Sequence, residues 1–482
     1  MYREEGYEHR EALFGMPAYG GSLAQNMYYA DSNLCDPNVD TRSGYPVRKN
    51  DDSGKQEAWP APYILMVDRG ECTFVQKVRN AQRSGAAGVI IADNVCLCSD
   101  ANCVSNNKDG SCQTSEPIMA DDGSGTDITI PAFLMFKHDA DQLKAEMKAN
   151  SMIQIEMSWS LPAPDDRVEY DMWTVPSEVV SRSFFKNFQV VAEKLGDRAY
   201  FTPHMYVYDG IRSGCQGPNG VNQCYNLCTN NGRYCATDPD NDLDRGISGS
   251  DVVTEALRRV CIWKNVGEQD GIGSIWWKYV NLFSDRCDTP DYFTNKDCIS
   301  DVMKHAGVEE RSIDQCMRDS GGLEKDAPNA FLEAELDSAT RRGVVILPTA
   351  FVNTAALRGA LNTNNIFSAI CAGYLEGTEP KICKKCMHCS DKQTCVEKGK
   401  CTGEGGNFKS VPFHTYVLSM AVIASGIGLV AFVYYRKSQE QMRDQVRGIL
   451  AEYMPLEDQD SDNPAVAFAK MGNTPSGSTM IS

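Results

Sequence analysis

Positive charge, histidine and long apolar runs are all scarce in this chain. Its 482 residues carry 47 Lys and Arg against 65 Asp and Glu, a formal net charge of −18. That balance excludes nucleic acid and anionic membrane surfaces as electrostatic partners and favours basic ligands, weakly. With six histidines, no Ser/His/Asp or paired-carboxylate arrangement is visible along the chain. No Asn-x-Ser/Thr sequon occurs, which removes N-glycosylation from the account. The opening residues, MYREEGYEHREALFGMPAYGG, lack the charged start, apolar run and small-residue cleavage site of a secretory signal. Residues 436–482 contain no cysteine, whereas all twenty cysteines precede them.

Against this background one apolar run dominates. Tyr416 to Tyr435 (YVLSMAVIASGIGLVAFVYY) has no charge over twenty residues, about the length a helix needs to cross roughly 30 Å of hydrocarbon. With aromatics at both ends and Arg436-Lys437 following, residues 413–435 are expected to form a transmembrane helix. Flanking charge orients it only slightly, because Lys398, Lys400 and Lys409 balance Arg436, Lys437, Arg443 and Arg447. The cysteines orient it clearly: they belong in an oxidising lumen, and the cysteine-free residues 436–482 in the cytosol. A single-pass topology with the N-terminus outside follows, and it predicts that the given start is a mature or truncated one. About 410 luminal residues exceed one core and allow two or three domains.

Residues 1–165 alternate apolar runs with turns. Tyr63–Asp68 (YILMVD) reads as a buried strand, Phe74–Ser84 as an amphipathic helix stopped by Gly85, and Gly88–Asp93 as a second buried strand. Asp127–Phe136, a helix from about 138 to 148, and Met152–Trp159 complete a mixed α+β domain. With Asp68-Arg69-Gly70-Glu71-Cys72-Thr73-Phe74, Gly85-Ala86-Ala87-Gly88 and Ile130-Pro131-Ala132, this segment resembles the protease-associated domain. Between strand and helix, Gly70 permits a tight exit, Cys72 can tether the loop, Phe74 plugs the core, and Arg69 sits on a rim near a helix N-terminus. Such a rim grips a peptide carbonyl or carboxylate. The plainer alternative, a solvated loop charge, has the stronger claim for Arg69 on sequence alone. Cys35 is the expected disulfide partner of Cys72. Cys96, Cys98, Cys103 and Cys112 crowd a polar loop, where two local disulfides are expected rather than zinc. Asp121-Asp122 and Gly123-Ser124-Gly125 continue it as an acidic loop.

A Pro- and Asp-rich connector, residues 162–176, ends in an aromatic anchor, Trp173. Beyond it the sequence predicts a helix over Phe184–Leu195, a strand over Ala199–Asp209, and a cysteine-rich excursion (Cys215, Cys224, Cys228, Cys235). A helical insertion with Cys261, Cys287, Cys298 and Cys316 follows, then strands over Gly343–Pro348 and Ala350–Asn353 and a helix over 363–371. This order looks like a thioredoxin-type fold with Pro348 as its cis-proline. The redox Cys-x-x-Cys expected after the first central strand is missing, and Cys224 and Cys228 sit elsewhere at the wrong spacing. Asp238, Asp240, Asp242 and Asp244 alternate like a calcium loop. Leu243 in place of Gly and Gly249 in place of Glu reject an EF-hand, leaving an acidic turn with room for weak calcium binding. No cofactor is expected. Cys371, Cys383, Cys386, Cys389, Cys395 and Cys401 predict three disulfides in a growth-factor-type stalk over 381–410.

In the tail, Met442, Val446, Ile449, Leu450 and Tyr453 share one helical face. Tyr453-Met454-Pro455-Leu456 then matches the Tyr-x-x-bulky-apolar pattern that docks as an extended strand into paired pockets; Ile449-Leu450 is an accessory candidate.

Together these pieces resemble the plant-type vacuolar sorting receptor family. The resemblance rests on Tyr19-Gly20-Gly21-Ser22, Asp68 to Phe74, Thr202-Pro203-His204, Asn231-Gly232-Arg233-Tyr234-Cys235, Asp238-Pro239, Trp276-Trp277, Ile346-Leu347-Pro348-Thr349, Thr378-Glu379-Pro380 and Tyr453 to Leu456, in order from about residue 10 to 458. It implies a non-enzymatic type I receptor that binds sorting peptides of soluble vacuolar proteins in the Golgi lumen. A clathrin adaptor medium chain would read the tail for transport to a prevacuolar compartment. It also implies a cargo site at Arg69, Gly70, Cys72 and Phe74, with Asp121 and Asp122 as a looser match to the family's acidic loop. The implied architecture is a protease-associated α/β domain (1–165), a thioredoxin-like domain with a cysteine-rich insertion (166–380), a growth-factor-like stalk (381–410), the span (413–435) and a cytosolic tail (436–482). The four-cysteine loop is extra and the stalk is short for the family. A luminal thiol-disulfide oxidoreductase or chaperone is the alternative; a membrane ubiquitin ligase would need zinc ligands after the span, where there are no Cys or His.

Overall fold

The computed structural model describes residues 6–106, 111–162, 164–217, 220–359, 361–401 and 436–437. The expected span 413–435 and the tail with Ile449, Leu450 and Tyr453–Leu456 lie outside the described residues. Among the described residues no helix is long and apolar enough to cross a membrane.

Continuous apolar runs decide the first sheet. Strands β1 (His9–Glu11), β2 (Ser22–Ala30), β3 (Tyr63–Asp68), β4 (Ala86–Ala92) and β5 (Ala132–Met135) lie in the order β1-β5-β4-β3-β2. From β2 to β5 the pairing is parallel. Parallel strands are covered on both faces, which is why YILMVD needs no polar alternation. Helix α1 (Phe74–Arg83) packs Val75, Val78 and Ala81 on the face holding Tyr63, Leu65, Val67, Val89 and Ile91. Helix α2 (Lys137–Lys148) packs Ala140, Leu143 and Met147 on the opposite face with Ile64, Met66 and Ile90. Strand β6 (Ile153–Ser158) runs antiparallel along β2. Each fully buried Leu, Ile or Val here contributes about 1.5–3 kcal/mol. The strand expected over Asp127–Phe136 is shorter, since residues 125–127 form a 3-10 turn. Of the two disulfides expected in the four-cysteine loop, Cys96–Cys103 is formed. Cys98 and Cys112 are not bridged; the helical turn Ala101–Asn106 returns Cys103, not Cys112, to Cys96.

The second sheet begins where a connector was expected. Residues 168–174 form strand β7 (Val168–Thr174), and Trp173 is fully buried. Helix α3 (Val179–Leu195) leads to β8 (Ala199–Met205), parallel to β7, while β9 (Thr349–Val352) pairs antiparallel on its other side. Between β8 and β9 lies the insertion: α4 (Gly249–Ile262), α5 (Ser274–Arg286), α6 (Lys296–Ala306), α7 (Glu310–Asp319) and α8 (Ala330–Arg342). Disulfides Cys261–Cys316 and Cys287–Cys298 staple it. Trp276 and Trp277 of α5 close around Phe185 and Phe201, with Trp277 stacked on Phe201 at 4.6 Å. Gly343–Pro348, expected as a strand, is instead a loop before β9 with Val345 66% exposed. Its apolar run has no strand partner among the described residues, because β7 pairs with Thr349 onward. The Leu347–Pro348 bond is cis.

The stalk also differs from expectation. Helices α9 (Thr363–Ala372), α10 (Lys381–Cys386) and α11 (Lys392–Lys398) are tied by Cys371–Cys383, Cys386–Cys395 and Cys389–Cys401. The described part of the growth-factor-type stalk is therefore helical; Cys383, Cys386, Cys389 and Cys395 are buried in the core that includes α3, and Cys401 is partly buried against it. A hairpin module would not supply that packing.

Both sheets meet along a polar seam. The Arg358 N–H donates to Tyr19 Oη at 2.6 Å, and Arg358 Nε pairs with Glu11 Oε2 at 3.3 Å. A Cβ on Gly20 would come within 2.7 Å of the Ala372 methyl, so the approach requires glycine.

Candidate functional site

In an open parallel sheet the loops at the carboxyl ends of the strands form the natural crevice for a ligand. Here those loops follow β2, β3 and β4. Asp68 of β3 lies opposite Ala92 of β4, so the next residues, Arg69 and Asp93, emerge side by side. Arg69 Nη1 reaches Asp93 Oδ1 at 3.2 Å; the Asp93 side chain is fully buried, while that of Arg69 is 22% exposed. Asp93 Oδ1 also accepts the Val95 N–H at 3.0 Å. Arg69 is thus a half-buried, paired cation rather than a solvated loop charge.

Gly70 adopts φ +112° and Glu71 φ +68°, which turns the chain sharply off the strand. Asn94 holds the turn from the neighbouring loop, donating Nδ2 to Arg69 O at 2.9 Å. Cys72 is bonded to Cys35 with Cα atoms 5.8 Å apart. Three side chains of α1 then grip the Cys35 loop. Gln76 donates to Cys35 O at 2.7 Å, Asn80 to Leu34 O at 2.8 Å, and Lys77 to Asn33 O. Lys77 is completely buried, and burial pulls its pKa down against the opposing pull of Glu71 and Asp68. Asn33 in turn donates to Glu71 Oε2. Phe74 is half-buried against the core beneath α1.

The acidic loop joins this rim. Thr73 is the N-cap of α1: its hydroxyl accepts the Gln76 N–H at 3.2 Å and donates to Asp122 Oδ2 at 2.7 Å. Hydrogen bonds from Ser124 and then Thr73 hold the exposed Asp122 carboxyl below its usual range. Asp121 Oδ1 accepts the N–H groups of Gly123 and Gly125 at 2.9 and 2.8 Å. Arg79 clamps the far side, with Nε 2.8 Å from Asp127 Oδ2 and Nη2 bonded to Ser124 O. The structure therefore brings Arg69, Gly70, Cys72, Phe74, Asp121 and Asp122 to one edge. It adds Thr73, Asp93, Asn94 and Arg79, which the sequence reading missed. Asp68-Arg69 and Asp93-Asn94 end two successive apolar runs, and that repetition was a usable sign.

Chemically, the rim offers the Arg69 guanidinium, the first turn of α1 and the exposed carboxylates of Glu71, Asp121 and Asp122. Such a surface suits an extended peptide: N–H donors for its carbonyls and acids for a basic side chain.

The redox position of the second domain is also located. After β7 the chain reads Val175-Pro176-Ser177-Glu178 before α3, without cysteine. Cys224 and Cys228 lie in the excursion, bonded to Cys215 and Cys235. In the acidic turn, Asp238, Asp240 and Asp242 each accept the N–H two residues on, at 3.1–3.2 Å. These turns account for the alternating spacing.

Two family models match the chain: the vacuolar sorting receptor thioredoxin-like domain over residues 168–371 and the PA domain over residues 21–143. Vacuolar-sorting receptor 4 of Arabidopsis thaliana is 35% identical over 394 residues, covering 77% of this chain and 57% of its own. Vacuolar-sorting receptor 3 of the same plant is 34% identical over 417 residues, covering 82% and 60%. Vacuolar-sorting receptor 1 of Pisum sativum is 34% identical over 393 residues, covering 77% and 57%. The chain thus spans about three-fifths of the length of these relatives.

Proposed function

The chain belongs to the vacuolar sorting receptor family, and from that premise we propose that it captures soluble cargo on the carboxyl-edge rim of its first domain and performs no chemistry there. Cargo presents an extended sorting peptide. Arg69 and the first turn of α1 receive its carbonyls, and Asp121 and Asp122 receive a basic or polar side chain. The observation that carries this reading is the Thr73–Asp122 bond, which ties the acidic loop to the N-terminus of α1. Residues 413–435 anchor the receptor, and a clathrin adaptor medium chain reads Tyr453–Leu456 during transport from the Golgi to a prevacuolar compartment. The cysteine-free stretch after β7 supports a receptor over a thiol oxidoreductase.

The test is capture. Full chain in nanodiscs is exposed to a soluble vacuolar extract, and bound proteins are compared with those held by Asp121→Asn/Asp122→Asn, which keeps the turn hydrogen bonds and removes the charge. At least a tenfold weaker capture is expected, and equal capture by the variant removes the acidic loop from the site.

A further inference from the structure

Nine disulfides use eighteen cysteines, and Cys98 and Cys112 stand outside them. Their position is not accidental. Leu97 bridges Gln113, the Cys98 N–H donates to Gln113 O at 3.0 Å, and the Gln113 N–H donates to Cys96 O at 2.8 Å. In this parallel bridge Cys98 and Cys112 lie diagonally, one residue to either side of the Leu97–Gln113 pair, and their thiols are in hydrogen-bond contact. Next to them Ser99 bonds Glu116, which also pairs with Arg10. Met119 follows, fully buried, its carbonyl accepting the Leu13 N–H at 3.0 Å. Two residues later the chain reaches Asp121 and Asp122. The thiol pair thus sits at the base of the segment that delivers the acidic loop to the rim.

We propose that Cys98 and Cys112 are oxidised to a tenth disulfide, reducible at the surface while the other nine persist, which fixes the segment leading into the acidic loop. The chemistry is thiol–disulfide exchange with a small-molecule or protein disulfide of the lumen as oxidant. The Cys98 thiol gives up its proton, its sulfur attacks one sulfur of the donor, and the donor's S–S bond breaks, releasing one thiolate. The deprotonated Cys112 sulfur then attacks Cys98 in the mixed disulfide and expels the second thiolate. The two cysteines lose two electrons and two protons, and the donor is reduced to two thiols. Cys98 is exposed, so an external thiol has access for the reverse reaction.

The bond itself is tested on the full chain, purified without reductant after blocking thiols with N-ethylmaleimide, by non-reducing peptide mapping. A Cys98–Cys112 linked peptide is expected, and titration with a phosphine reductant should open it before any other bridge. Recovery of both cysteines in maleimide-labelled form, or of either joined to another cysteine, overturns the proposal; so does release only together with the buried bridges. The consequence for cargo rests on the rim reading and is measured separately. Cys98→Ser/Cys112→Ser, and the wild type after mild reduction, should each capture vacuolar proteins several-fold more weakly, with the Cys35–Cys72 peptide intact. Wild-type capture by both, while Asp121→Asn/Asp122→Asn loses it, overturns the positioning role alone. Undiminished capture in all three counts against the rim instead.

Discussion

Removing Arg69 should cost the first domain stability as well as cargo. Its partner Asp93 is fully buried, and Arg69→Ala leaves that carboxylate with the Val95 N–H as its one remaining donor among the described residues. Breaking a buried ion pair by deleting one member typically costs about 3–5 kcal/mol. Arg69 is 22% exposed, so water can enter and screen part of the loss, which brings the expectation to about 2 kcal/mol. Asp93→Asn keeps the acceptor for Val95 and removes the charge, and in the Arg69→Ala background it should recover about 1 kcal/mol. Hydrogen exchange on the four variants of this cycle, followed at β4 and the first turn of α1, gives the local opening free energies. If Arg69→Ala alone opens no more readily than wild type, the pair contributes nothing and the argument from burial fails. If the double variant is no better than Arg69→Ala, the loss belongs to the Arg69 packing rather than to a stranded carboxylate.

Thr73→Val removes the N-cap of α1 and the tether to Asp122 together; about 1 kcal/mol of local stability should go, seen as faster exchange in the first turn of α1 and weaker cargo capture. Cys35→Ala/Cys72→Ala opens a loop of sequence separation 37 and should destabilise the domain by about 4 kcal/mol on the chain-entropy account, measured by chemical denaturation. Burial raises the pKa of Glu11 at the seam, with Arg358 pulling the other way. The folded chain therefore takes up this proton at higher pH than the unfolded chain, and ionised Glu11 is a cost that is relieved as pH falls. Glu11→Gln should stabilise the seam at neutral pH, with the gain shrinking toward the carboxylate range; a gain that grows on acidification has the wrong sign. Tyr453→Ala should divert the receptor to the cell surface, scored by surface biotinylation, and unchanged distribution would remove the tail motif.

Elements whose patterns are local were legible. YILMVD, the amphipathic run from Phe74 and the stop at Gly85 specify strand, helix and turn without reference to the rest of the chain, and β3 and α1 stand where those residues put them. Elements whose state depends on a distant partner were not. Val168–Thr174 follows a Pro- and Asp-rich stretch and looks like linker, yet β8 and β9 flank it and make it an inner strand of the second sheet. Conversely, Val344–Leu347 is apolar and largely β-branched, and finds no strand to pair with among the described residues. The site divides in the same way. The Arg69 turn is visible in seven consecutive residues, whereas the Arg69–Asp93 pair spans 24 positions and exists only through the Asp68–Ala92 register.

The second domain bears on where function resides. A thioredoxin-type centre works because the N–H groups at a helix N-terminus stabilise a thiolate. In this chain those groups are already committed: Glu178 accepts the N–H of Val180 at 2.8 Å and of Ser181 at 2.6 Å. The carboxylate supplies the negative charge that a thiolate would otherwise bring. Restoring a cysteine before α3 would therefore place a thiol beside an anion, which raises rather than lowers its pKa. The helix terminus that serves redox catalysis in such a fold is here a built-in cap. The opposite arrangement holds in the first domain. There the N-terminus of α1 is capped by Thr73, a neutral hydroxyl, and the nearest carboxylate is on a separate loop joined to it by one hydrogen bond. A peptide can displace or extend that contact, and this difference in how the two helices are capped supports the recognition site proposed at the rim of the first sheet.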